Sequence, residues 1–77
     1  MELSQRVRAI VSFVEAADAG SFAAVARSQG ISPAAVSKNI AGLEQALGVR
    51  LMNRTTRTLS LTEEGRVFLQ QARIAIG

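Results

Sequence analysis

The sequence predicts a mainly α-helical fold, with a three-helix core, a short β-hairpin and a further helix at the C-terminal end. Three observations carry that expectation. Residues 21–44 hold two short helical patterns that meet at a Gly-containing turn, residues 48–61 lose the helical period and become β-prone, and helical patterning flanks both segments. With 77 residues, 48% of them hydrophobic and only three aromatic (all Phe), the chain can bury one modest core and not two.

Val7, Ile10, Val11, Val14 and Ala17, with Phe13 beside them, give the first helix an apolar face expected to cover the next two helices from behind. Asp18, Ala19, Gly20 and Ser21 then supply a helix end and a fresh N-cap. The N–H groups after Ser21 also suit a phosphate, but a cap is the simpler reading of that serine. In the second helix Phe22, Val25 and Ala26 recur at helical spacing. Gly30 can take the left-handed conformation that ends it, and Ile31 is expected to return an apolar side chain to the core.

Ser32 is a good N-cap, and Pro33 fits the first position of a third helix, where its missing N–H costs nothing. At about 100° per residue, Val36, Ile40, Leu43 and Leu47 form a narrow stripe, and Ala34, Lys38, Ala41 and Gln45 lie roughly opposite. That outer face is lean. Pro33, Ala34, Ser37, Ala41 and Gly42 leave the backbone free to approach a large partner, and Lys38 is the one cation there. A helix of this kind suits the major groove of DNA, where Ser37 and Lys38 reach base edges or phosphates and the carbons of Pro33 and Ala34 touch thymine methyls. A small Ala-rich helix packed against another protein surface has the same composition, and helix-turn-helix units also serve as plain corners.

From Gly48 to Leu61 the natural reading is a hairpin with strands at Leu51 to Asn53 and Thr58 to Leu61, Leu59 and Leu61 turning toward the core, and Arg54, Thr55, Thr56 and Arg57 at the tip. Arg50, Arg54 and Arg57 fall within eight residues, with threonine hydroxyls between them. Guanidinium groups on a protruding loop suit phosphate oxygens or a narrow minor groove, whereas a solvated basic turn is the bland alternative. Because no Asp or Glu stands between Glu44 and Glu63, these arginines are expected to lack a local partner.

A helix-turn-helix followed by a basic hairpin is a winged helix-turn-helix, and here the chain resembles the N-terminal domain of LysR-type transcriptional regulators. The resemblance runs over nearly the whole chain. It rests on Phe13-Val14, Ala19-Gly20-Ser21-Phe22, Ile31-Ser32-Pro33, Ala35-Val36-Ser37-Lys38, Ile40 with Leu43-Glu44, Leu47-Gly48-Val49-Arg50-Leu51, Asn53-Arg54-Thr55-Thr56-Arg57, and Leu61-Thr62-Glu63 with Gly65. It implies a bacterial transcription factor that binds double-stranded DNA at an imperfect inverted repeat. By this likeness Ser32, Pro33, Ala34, Ser37 and Lys38 lie in the major groove, and Arg54, Thr56 and Arg57 sit on the wing at the backbone or minor groove. Gln29, Gly30, Ala34 and Met52 depart from the usual pattern. The first two are expected to loosen the end of the second helix, and Ala34 removes a hydroxyl contact.

Thr62 followed by Glu63 and Glu64 starts the last helix, because a capping hydroxyl and two carboxylates suit the positive end of its dipole. Val67, Phe68, Leu69, Ala72, Ile74, Ala75 and Ile76 give it more apolar surface than a domain this small covers easily. Phe68 is expected inward. The surface around Leu69, Ala72 and Ile76 is expected to be shared with a second subunit, since in the resembling family this is the linker helix that makes a homodimer. The expected organisation is a DNA-binding domain over 1–61, with the helix-turn-helix at about 22–41 and the wing at about 50–61. The start of a linker helix follows at 62–77. By the same likeness a small-molecule effector would act only through an effector-binding domain absent from these residues.

Net charge is +3 with an isoelectric point near 11.2, which favours nucleic acid over acidic-site chemistry. Without cysteine there is no disulfide framework and no thiolate metal site, and the start M-E-L-S-Q lacks the basic-then-apolar order of a signal peptide, so a cytoplasmic address is expected. No apolar run is long enough to span a membrane. Lacking His, Cys and Tyr, and with its six carboxylates scattered or at helix starts, the chain offers no general acid-base pair, no metal cluster and no cofactor motif. Ser37 beside Lys38 does not make a nucleophile-base pair on spacing alone. Catalysis is therefore not expected. The competing reading is a winged-helix domain that docks a protein partner without binding DNA.

Overall fold

Each helix starts at a capping side chain, and the first three stop at a glycine. The computed structural model describes residues 2–54 and 59–76, the side chain of residue 76 excepted. Helix α1 runs Leu3–Ala19, α2 Phe22–Gln29 and α3 Pro33–Leu47; strands β1 (Met52–Arg54) and β2 (Leu59–Leu61) follow, then α4 (Glu63–Ile76). Ser21 accepts hydrogen bonds from the Ala23 and Ala24 amides, and Ser32 accepts one from the Ala35 amide, so both expected N-caps are in place. Glu2 caps α1 by accepting from the Gln5 amide at 2.9 Å. That bond and one from the Ser4 hydroxyl, the larger influence, hold the Glu2 carboxyl below its ordinary pKa. Gly30 ends α2 at φ 71°, in the left-handed region that a Cβ disfavours, and the Ile31 amide closes the turn on the Ala26 carbonyl at 3.0 Å.

The core lies where α1 and α2 meet α3. Ala9, Phe13 and Ala16 of α1, Val25 and Ala26 of α2, and Val36, Ile40 and Leu43 of α3 are buried together with Leu51 and Met52 at the start of the hairpin. Phe68 of α4 closes the other side, its ring centroid 5.7 Å from that of Phe13, so it faces inward as the sequence implies. Arg73 of α4 pairs with Asp18 at the end of α1, a hydrogen bond that also raises the Arg73 pKa.

Several expected core positions are shifted. The fully buried line of α1 is Ala9, Ser12, Phe13 and Ala16, while Ile10, Val14 and Ala17 pack only partly and Val7 is about half exposed. Small residues let α3 approach closely there, and the first turns of α1, with Leu3 and Val7, extend past the core. Ile31 remains 37% exposed, at the mouth of a shallow concavity with Arg8, Gln29, Ala35 and Asn39, so its return to the core is incomplete. Leu47, 42% exposed, lies beyond the reach of that core although it continues the α3 stripe. Gln29 does the opposite of loosening α2. Its amide donates to Glu15 at 2.8 Å and to the fully buried Ser12 hydroxyl at 3.1 Å, tying the end of α2 to α1.

The hairpin is antiparallel, with Met52 opposite Leu61, Asn53 opposite Ser60 and Arg54 opposite Leu59. The first strand thus lies one residue later than expected at both ends, so Arg54, expected at the tip, pairs with Leu59 inside the hairpin, while the Leu51 and Met52 amides bond the Glu44 side chain. Thr55, Thr56 and Arg57, expected at the tip, and Thr58, expected to open the second strand, lie outside the described residues. Thr62 joins the hairpin to α4: its hydroxyl donates to the Arg50 carbonyl at 2.6 Å and accepts from the Gly65 amide at 2.9 Å. Gly65 is where α4 crosses the chain, since a Cβ there would stand 2.0 Å from the Leu51 carbonyl oxygen.

Two stability changes follow. Alanine normally outranks glycine inside a helix by about 1 kcal/mol, but Gly65→Ala should destabilise the domain by about 1–3 kcal/mol because neither backbone can move aside; chemical denaturation reads the sign directly. Gln29→Leu removes a partner of the buried Ser12 hydroxyl and should cost about 1–2 kcal/mol in the same assay, despite its greater hydrophobicity.

Candidate nucleic-acid interface

The first two turns of α3 present what the sequence placed there. Ser32, Pro33, Ala34 and Lys38 are exposed and Ser37 is half-buried at the edge of the same surface, while Val36 and Ile40 on the opposite side are fully buried. The division comes from helical geometry: positions facing the core are β-branched, and those facing out are small or carry the single lysine. Pro33 needs no partner for its nitrogen at this helix start, so the N-terminal end of α3 stands clear without an orphaned donor.

The same outer line runs on through Ala41 and Gln45 into a concavity of about 450 Å³ shared with Gly48, Val49, Arg50 and Arg54. The C-terminal half of the outer face of α3 and the base of the hairpin therefore open onto one hollow. The side chain holding them together is Glu44, on the last full turn of α3 and only 7% exposed. Its Oε2 accepts from the Leu51 amide at 2.8 Å and the Met52 amide at 3.2 Å, and its Oε1 accepts from the Arg54 guanidinium at 3.0 Å.

Arg54 thus has the partner that a reading of the hairpin alone denies it. Glu44 lies ten positions earlier, but α3 and β1 run back past each other, and the expectation of an unpaired arginine failed because it counted only carboxylates inside the hairpin. The guanidinium also sits over the Phe22 ring, 5.7 Å from its centroid, so one side chain touches α2, α3 and β1. Arg50 and Lys38 are exposed, whereas Thr56 and Arg57 fall outside the described residues. Neither Glu44 nor Gln29, which organise the site from within, was singled out for that role by the sequence. The signal for Glu44 was an acidic residue next to the buried Leu43 on a helix whose outer face is otherwise uncharged except for Lys38.

On α4, Ala72 is 5% exposed and packs against its own domain, and Leu69 is half-buried on the same core. This corrects the expectation that Ala72 lies on a shared surface: it faces the same way as Phe68, one turn earlier. Among the described residues the large apolar side chains of α4 left in solvent are Val67 and Ile74, seven residues apart on one face. Ile76 has no described side chain. Among the described residues no group of three or more His, Cys, Asp or Glu side chains is placed to hold a metal ion, and no helix is long and apolar enough to cross a membrane.

Glu44→Ala should be costly, because it leaves two buried amides and a guanidinium without their acceptor. A loss of about 3 kcal/mol is expected, the low end for a broken buried pair since Arg54 is partly solvated. Arg66→Ala, which removes the exposed pair with Glu63, should change stability by less than about 0.5 kcal/mol. Thermal melts of the two variants side by side check the contrast.

Comparison with known proteins agrees with this architecture. Residues 7–66 match the family described as bacterial regulatory helix-turn-helix protein, lysR family. The chain is 42% identical over 71 residues, 92% of its length, to an HTH-type transcriptional repressor of Pseudomonas aeruginosa strain UCBPP-PA14, of which it spans 22%. Among solved structures it is similar to the CbnR DNA-binding domain in complex with DNA (TM-score 0.86, 34% identity, 99% of this chain and 83% of that one). It is equally similar to the BenM DNA-binding domain with catB site 1 DNA (TM-score 0.86, 32% identity, 99% and 81%). The chain belongs to the LysR family of bacterial helix-turn-helix regulators and has the winged helix-turn-helix fold of their DNA-binding domains.

Proposed function

We propose that this domain binds double-stranded DNA sequence-specifically as the reading head of a cytoplasmic transcriptional regulator. The observation that carries the proposal is the lean, exposed face of α3, whose outer line continues through Ala41 and Gln45 into the hollow at the base of the basic hairpin. The likeness to domains solved with DNA bound supports it. In this reading α3 enters the major groove, where Ser32, Ser37 and Lys38 bond base edges or phosphates and Pro33 and Ala34 make apolar contact. The wing, with Thr56 and Arg57 at its tip, lies on the backbone or in the minor groove. Arg50, exposed beside the hollow, is placed to meet a phosphate between the two.

Two such domains read the halves of an imperfect inverted repeat. Val67 and Ile74 on α4 give the second copy an apolar seam, with Leu69 at its margin. Small-molecule control and catalysis form no part of this reading of the domain.

Fluorescence anisotropy with labelled duplex at several salt concentrations tests it. Affinity should fall steeply as salt rises, and Lys38→Ala or Arg57→Ala should flatten the logarithmic slope by about 0.9 for each phosphate no longer neutralised. Ser37→Ala should instead narrow the gap between a selected sequence and random DNA by about tenfold with little change of slope. Salt-insensitive or absent binding would favour a protein-docking domain. In sedimentation, Ile74→Asp should shift any dimer toward monomer while leaving the melt of the monomer nearly unchanged, because Ile74 is 84% exposed.

A further inference from the structure

Arg54 belongs to the basic hairpin, yet its charge is turned inward. Its guanidinium bonds Glu44 at 3.0 Å and lies over the Phe22 ring, its Nε is buried with no hydrogen-bond partner among the described residues, and only a quarter of the side chain is exposed. With one guanidinium nitrogen on Glu44, the plane over Phe22 and three quarters of the side chain covered, little of the group is turned toward an outside phosphate. A phosphate that drew the whole group out would leave the buried Glu44 carboxylate with two amides and no cation. Drawing it out would break a buried pair, which is costly.

We infer that Arg54 is a positioning residue: with Glu44 and Phe22 it braces the wing against α3, fixing the spacing between groove-reading helix and wing, and it acts on DNA through that spacing, not by touching phosphate. The inference rests on the DNA-binding reading. It follows from the arrangement of the three elements, since Phe22 opens α2, Glu44 lies near the end of α3 and Arg54 ends β1, and the one guanidinium meets both of the others.

The sign of one substitution separates brace from contact. Glu44→Gln removes a negative charge near a polyanion. If Arg54 were a phosphate ligand, the change would release it and tighten binding. If the pair is a brace, the same change should weaken binding. Glu44→Gln, Arg54→Met and the double variant are to be titrated against a labelled mixed-sequence duplex of two helical turns, well below the melting temperature of each. The double variant leaves no uncompensated buried charge, and so keeps the test open where Arg54→Met folds poorly. Each single change should weaken affinity roughly tenfold, and the double change no more than either alone. Tighter binding by Glu44→Gln, losses that add in the double variant, or a lowered melting temperature with unchanged affinity would each overturn the inference. Absent or salt-insensitive binding by the wild-type chain would overturn the DNA reading and this inference together, whereas the other outcomes leave that reading standing.

Discussion

The Glu44 carboxylate takes up three donors from a segment that has no other way to satisfy them. Leu51 and Met52 enter the hairpin with their amides donating to Glu44 and not across the β1–β2 ladder, although Met52 stands opposite Leu61. One buried side chain on α3 therefore does for the hairpin what a third strand would do in a larger sheet. Burying a carboxylate is expensive, and here the expense is met by full coordination: two amides on one oxygen and a guanidinium on the other. A two-stranded hairpin is marginal by itself, so its orientation is inherited from α3.

Close approach elsewhere serves the same end. Ala9 and Ala16 on α1 and Ala26 on α2 bring three helices together at a distance larger side chains would forbid, which leaves α3 buried on one face and clear on the other. Gly65 lets α4 cross the Leu51 carbonyl, and Thr62 bonds both the chain entering the hairpin and the helix leaving it. The wing is held at its base from two sides, by Glu44 beneath and by Thr62 behind. A stability of about 4–12 kcal/mol is usual for 77 residues, so each of these contacts is a sizeable part of the whole.

Much of this could be read in the chain before any coordinates. Ser21, Ser32 and Thr62 mark helix starts, and Gly20 and Gly30 mark ends, because capping chemistry is local and a few residues decide it. The lean face of α3 was legible for a similar reason, since helical period alone sorts Ala34 and Lys38 from Val36 and Ile40. Long-range pairings were not. Nothing near Gln29 announces Ser12 and Glu15 as partners, and nothing near Arg54 announces Glu44, because those meetings depend on how whole helices cross. Ala72 and Ile31 were misplaced for a related reason: an apolar residue within a stripe is buried only as far as a neighbouring element extends over it.

The most direct measurement is the amide chemical-shift map of the chain as duplex DNA is added. Shifts concentrated at Ser32 to Ala41 and around Arg50 to Arg54, with the outer face of α4 near Val67 and Ile74 unmoved by the nucleic acid itself, are the expected pattern. Shifts centred on Leu47, Val49 and Val67, exposed apolar side chains that line one concavity between the end of α3 and α4, with the first turns of α3 silent, would contradict it.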